Sequence, residues 1–292
     1  MEETRDAGVS ERISTKQGMY VRSLPTGVRL EYALAGPAAA EVLCFVHGVG
    51  ANARQFSTQL TAFGGAYRVL ALSLRGHGGS TAPERASAAD FSPRQLARDV
   101  LALLSELGIG KFHYVGNSLG GLVGYELLEL DSDRVLSLTT FGTTAELHSS
   151  ALLRGTVVLM ARLLGPRGLG WLLTKTASRR PDVRRFVGEM MRSACKDALV
   201  LLPRNIATYD YRQTLQKRLV PMLLMRCEHD REINKQLQST LEVLESDPAA
   251  RVLDLHHAGH YANLDNPEEF NRALSGFLAA LTESQALTMP CW

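Results

Sequence analysis

The chain has 292 residues, with 32 Lys and Arg against 30 Asp and Glu, a net charge of +2, and 45% apolar residues. That length can bury one large core or two modest ones. The near-neutral balance gives no chain-wide attraction to nucleic acid, and no apolar run reaches the roughly 18 residues that a membrane span needs.

In chain order, the opening MEETRDAGVSERISTKQGMY carries acids and lacks an apolar h-region, which argues against a secretory signal. Short apolar runs then recur: VLCFV from 42, VLAL from 69, FHYV from 112, VLSL from 135, MLLM from 222 and VLDL from 252. Each is too short for a core helix, and runs apolar on both faces suit the central strands of a mainly parallel sheet covered by helices. A helix is expected after Phe91, with Ser92 as N-cap and Pro93 in the first turn. Leu96, Val100, Leu103, Leu104 and Leu107 fall on one face before Gly108. From about 144 to 212 the rhythm is interrupted by a long, basic, helical stretch that looks like an insertion. A last helix starts at Asn266-Pro267-Glu268-Glu269, where Asn266 caps and Glu269 answers it, with a stripe of Phe270, Ala273, Leu274, Phe277 and Leu278. Cys44, Cys195, Cys227 and Cys291 show no CxxC or Cys/His ligand spacing, so no metal, no cofactor and reduced thiols in a cytoplasmic protein are expected.

The stretch Gly116-Asn117-Ser118-Leu119-Gly120 follows the FHYV run and precedes a helical segment, giving G-x-S-x-G in a strand-turn-helix setting. Glycines flanking a sharp turn let strand and helix approach while the serine Oγ points outward. A tight structural turn is the plain alternative for these five residues alone. A serine hydroxyl needs a histidine base, and the base needs a carboxylate. Asp230, just beyond MLLM, and His260, in the loop beyond VLDL, stand in that order at strand ends. Glu228 competes with Asp230, and His256 and His257 with His260. Acyl transfer also needs oxyanion donors. The FVHGVG loop offers the Val49 amide, flanked by Gly48 and Gly50, to act beside the amide of Leu119.

HGVG (47–50), RGHGGS (75–80), GNSLGG (116–121), CEHD (227–230) and GHYANLDNPEEF (259–270) occur in the order found in the α/β-hydrolase superfamily, which the chain resembles from about residue 20 to 284, in its capped branch. The resemblance implies an α/β-hydrolase fold: a mostly parallel central sheet flanked by helices, with a helical cap insertion. It implies one discontinuous core (20–143 and 213–284), a cap at 144–212, and tails at 1–19 and 285–292. It further implies Ser118 as nucleophile, Asp230 and His260 as its partners, and Val49 and Leu119 as oxyanion donors. Many relatives carry an aspartate two residues before the loop arginine, where this chain has Ser73 before Arg75, a change expected to affect loop support. Tyr261 stands where carbon–carbon hydrolases of ring-cleavage products have tryptophan, which weakens that reading. A serine rather than an aspartate at 118 disfavours dehalogenase and epoxide hydrolase chemistry. A small-molecule esterase or enol-lactone hydrolase is the nearest resemblance, and a ligand receptor retaining the triad is the alternative from another class.

Between Glu146 and Arg204 stand eleven Lys and Arg against four acids, a local net of +7 that leaves −5 elsewhere. Such asymmetry fits an anionic substrate, an acidic carrier protein or an anionic membrane surface at the cap, or simply a solvated cationic face.

Overall fold

The computed structural model of the chain describes residues 11–12 and 18–288. Among the described residues eleven strands are formed: β1 (Glu11–Arg12), β2 (Met19–Ser23), β3 (Arg29–Ala35), β4 (Val42–Val46), β5 (Arg68–Leu72), β6 (Phe112–Asn117), β7 (Val135–Phe141), β8 (Glu146–His148), β9 (Thr208–Asp210), β10 (Met222–Cys227) and β11 (Ala250–Leu255). The helices are α1 (Ser57–Phe63), α2 (Pro93–Glu106), α3 (Leu119–Asp131), α4 (Ala151–Thr176), α5 (Pro181–Arg192), α6 (Lys196–Asn205), α7 (Arg212–Lys217), α8 (Arg231–Asn234), α9 (Gln238–Glu245), α10 (Ala262–Asp265) and α11 (Pro267–Thr288).

All six apolar runs are strands of one nine-stranded sheet, ordered β1-β2-β3-β5-β4-β6-β7-β10-β11. From β5 through β4, β6, β7 and β10 to β11 every pairing is parallel, and β1, β2 and β3 add an antiparallel margin. β4 and β6 are buried at every residue because helices cover both faces. One core layer joins the α2 stripe (Leu96, Val100, Leu103, Leu104) to Leu70, Leu72 and Tyr114. The other sets the α11 stripe (Phe270, Leu274, Phe277, Leu278) against Leu43, Phe45 and Phe141. The capping chemistry follows the sequence. Ser92 Oγ accepts from Gln95 N at 3.2 Å, and Asn266 and Glu269 bond each other reciprocally at 2.8 and 3.3 Å.

Between β7 and β10 the chain leaves the sheet. A short antiparallel ribbon, β8 with β9, forms the neck of an excursion that carries α4, α5 and α6. α4 is kinked where Gly165 takes φ 59 and ψ −173 ahead of Pro166. Two ends differ from expectation. β1 and the first residue of β2 lie within 1–19, paired as a hairpin that extends the sheet, and α11 runs past 284 to Thr288. Residues 1–10, 13–17 and 289–292, including Cys291, lie outside the described residues. No helix among the described residues is long and apolar enough to cross a membrane.

Candidate active site

β6 ends at Asn117 and α3 starts at Leu119, so Ser118 alone makes the reversal, at φ 51 and ψ −113. A non-glycine residue in this region is strained, and such strain collects at functional sites. The turn is tight enough that a Cβ on Gly116 would collide with the Gly120 carbonyl oxygen, and one on Gly120 with that of Val46. Ser118 N–H donates to Phe141 O at 3.0 Å, fastening the elbow to the end of β7.

β10 and β11 run parallel to β6 and deliver the two partners at the same sheet edge, in the loops beyond their carboxyl ends. Asp230 Oδ2 lies 2.7 Å from His260 Nδ1, with the carboxylate 8% exposed. In this contact Nδ1–H donates to the carboxylate, which leaves Nε2 free to accept a proton. Two of the competing residues are engaged elsewhere. Glu228 is exposed, and its Oε2 accepts the His257 N–H at 2.7 Å, a bond that holds its carboxyl below the usual range. His256 turns to Glu269, with Nδ1 at 2.9 Å from Oε1.

An amide network that sequence reading missed ties the elbow to the histidine loop. Asn117 Nδ2 donates to Phe141 O at 3.2 Å and to His260 O at 2.9 Å, while its Oδ1 accepts from Gln55 Nε2 at 3.0 Å. Gln55 Nε2 also reaches Asn263 Oδ1 at 3.0 Å, and Asn263 Nδ2 donates to Gln55 O and Gln59 Oε1. These four amides are fully buried. The available signal was the run of polar residues at 52, 55 and 59 in an otherwise core-forming segment.

The HGVG loop closes the other side. A Cβ on Gly48 would stand 3.0 Å from Ser118 Cβ, so this loop lies against the elbow. The N–H groups of Val49 and Leu119 have no backbone acceptor among the described residues. His47 holds the loop: Nε2 accepts from Leu74 N at 2.9 Å, so Nδ1–H donates to Gly48 O at 2.7 Å. Its ring lies 5.0 Å from that of His77. Burial pushes both down, His47 well below its ordinary value with the neighbouring His77 adding to the effect, and His77 to about 4. The RGHGGS loop rests on Arg75, whose guanidinium makes a buried bidentate pair with Asp99 at 2.5 and 2.7 Å. Ser73 Oγ donates to Glu31 Oε2 at 2.7 Å and accepts from Ala53 N at 3.0 Å. Glu31, from the antiparallel margin, thus supplies the carboxylate that position 73 lacks.

The excursion's α4–α5 junction is latched behind His260. Asp265 accepts from Ser178 Oγ and, at 2.9 Å, from Gly259 N–H, and Arg180 Nη1 donates to Asp265 O at 3.0 Å. Here a cavity of about 320 Å³ opens beside Asp230 and His260, rimmed by Arg179, Arg180, His229 and His257. Ser118 is outside that lining, so the cavity belongs to the acid–histidine side. Glu228, His229 and His257 place ligand atoms within 4.8 Å of one another. The Arg179 guanidinium, 2.9 Å from His229 Nε2, puts a fixed positive charge against that cluster and opposes a divalent cation.

Comparisons with known proteins agree with this architecture. RutD of Pseudomonas savastanoi pv. phaseolicola, by its name a carbamate hydrolase, is 29% identical over 257 residues, 83% of this chain and 95% of that one. The 3-oxoadipate enol-lactonase 2 of Acinetobacter baylyi is 26% identical over 86% of this chain and 93% of its own length. The crystal structure of the enol-lactonase from Burkholderia xenovorans LB400 superposes with a TM-score of 0.78 at 25% identity, covering 89% of this chain and 99% of that one. A family profile described as the alpha/beta hydrolase family matches residues 45–273, and the chain belongs to that family of hydrolases.

Proposed function

We propose that the chain is a serine hydrolase that cleaves a small-molecule carboxylic ester or lactone through an acyl-enzyme on Ser118. The observation that carries this reading is the conjunction of a serine strained at φ 51 on the strand-to-helix turn with an Asp230–His260 pair at 2.7 Å on the same sheet edge. The names of the relatives, an enol-lactonase and a carbamate hydrolase, support hydrolysis of an acyl–heteroatom bond.

In the reaction, His260 Nε2 takes the Ser118 hydroxyl proton as Oγ attacks the carbonyl carbon. Asp230 holds the imidazole and stabilises the imidazolium. The N–H groups of Val49 and Leu119 receive the oxyanion. The same proton passes to the leaving alcohol, or to the ring oxygen of a lactone, as the C–O bond breaks. Water, deprotonated by His260, then releases the acid and regenerates Ser118. No Ser118–His260 hydrogen bond is formed among the described residues, and such contacts in free enzymes often tighten only with substrate bound. In this reading residues 144–212 are the cap. Arg179, at the rim of the cavity, gives an anionic substrate a first contact. The free thiols Cys44, Cys195 and Cys227 support a reducing, cytoplasmic setting.

The test is a fluorophosphonate probe together with a panel of esters and lactones, on the wild type and Ser118→Ala. Labelling and repeated turnover that vanish in the variant are expected. Labelling that persists, or a single slow turnover with no steady state, overturns the reading.

A further inference from the structure

α4 carries large apolar side chains on more than one side, yet only one side of it is packed. Val158 and Ala161, with Leu169 and Leu173 beyond the kink, face inward against Met191, Leu199 and Val49, the last in the loop that borders Ser118. The opposite side is bare: Leu152 is 82% exposed, Leu163 76% and Trp171 61%. Among the described residues, eight of the eleven exposed large apolar side chains belong to this one helix. An exposed apolar patch of this kind marks a docking surface.

The charges choose the occupant. No acid stands between Glu146 and Asp182, while Arg154, Arg162, Arg167 and Lys175 lie within α4. A symmetric dimer through α4 would set these cations against their own copies with no carboxylate to answer them. A bilayer with anionic headgroups accepts both features, taking the leucines and the tryptophan into its interface and pairing its phosphates with the cations. α4 is broken at Gly165–Pro166 and, like every helix among the described residues, is not long and apolar enough to cross a membrane, which suits it to lie along a surface.

We propose that the outer face of α4 is an interfacial helix that seats the cap on an anionic lipid surface. This goes beyond the ester-hydrolase reading and does not depend on it, since docking needs no nucleophile.

The test uses the full chain carrying Ser118→Ala and Trp292→Phe, which leaves Trp171 as the sole tryptophan. It is floated with phosphatidylcholine vesicles, with and without about one-third phosphatidylglycerol. Expected are flotation with the anionic vesicles only, a blue shift of Trp171 fluorescence, and release by salt. Arg162→Gln/Arg167→Gln/Lys175→Gln should weaken partitioning on the order of 100-fold, at about fivefold per cation. Leu152→Ser/Leu163→Ser should weaken it with the cations intact. Circular dichroism certifies folding, so a failure of docking is read apart from any failure of ester turnover. Equal binding to neutral vesicles, no binding by the folded protein, or a concentration-dependent dimer that Leu163→Ser dissolves would each overturn the proposal.

Discussion

His47 and His77 make the HGVG and RGHGGS loops sensitive to acid. The histidine reference lies at 6.5, and burial lowers His77 to about 4. A depressed folded-state value means that stability is fully present above pH 6.5. It erodes as pH falls toward 4, because the unfolded chain takes the proton first. For a group at 6.5 unfolded and about 4 folded, the loss between about pH 7.5 and pH 5 is about 2 kcal/mol, with a limiting slope near 1.4 kcal/mol per pH unit. His47 adds to it in the same direction, since a proton on Nε2 would break the bond from Leu74 N–H. Urea unfolding at several pH values, in the wild type and His77→Gln, measures the term. The variant will be less stable at pH 7.5 through the lost bond from His77 Nδ1 to Arg75 O, but its stability should fall by about 2 kcal/mol less on acidification. Parallel pH profiles for the two proteins would refute the assignment.

The identity of the acid is checked by kinetics: Asp230→Asn should lower kcat by several orders of magnitude, while Glu228→Gln, whose carboxylate holds the His257 N–H and faces His229 rather than His260, should change it less than about tenfold. Arg75→Met should cost roughly 3–5 kcal/mol in urea unfolding by leaving Asp99 charged and buried, and Arg75→Met/Asp99→Leu should recover most of it. Arg179→Gln should lower kcat/KM for an anionic ester in a salt-dependent way and leave a neutral ester unchanged, whereas Arg180, tied to Asp182 and Asp265 O, should show a stability loss instead.

The parallel strands were legible because each had to be apolar on both faces, and α2 and α11 because their stripes and caps agreed at the level of single residues. β2 and β3 were not. Strands such as RLEYALA are half exposed, and their mixed pattern has neither the continuous run of a central strand nor a clean helical period. The site divides in the same way. Ser118, Asp230 and His260 stand in punctuated positions between strand and helix, where few other roles fit. Asn117 and Asn263 were invisible because a lone buried amide has no spacing signature, and Gln55 was marked only by the polar positions 52, 55 and 59 around it. The partners of these amides lie up to 208 residues away, and only the fold shows that they are satisfied.

The positive charge of residues 144–212, which fits an anionic substrate, an acidic carrier protein, an anionic membrane surface or a solvated face, divides between two surfaces. Arg179 and Arg180 rim the cavity beside His260, whereas the exposed cations Arg162, Arg167 and Lys175 of α4 accompany an apolar face with no protein over it among the described residues. One helix therefore serves two environments: Val158 and Ala161 pack toward Val49 while Leu152 and Leu163 face outward. A ligand on the outer face can bias the site only by changing how that inner stripe packs. Coupling between the faces would appear as a change in kcat for a soluble ester on adding anionic vesicles. A change in KM alone would mean that the surface merely gathers substrate.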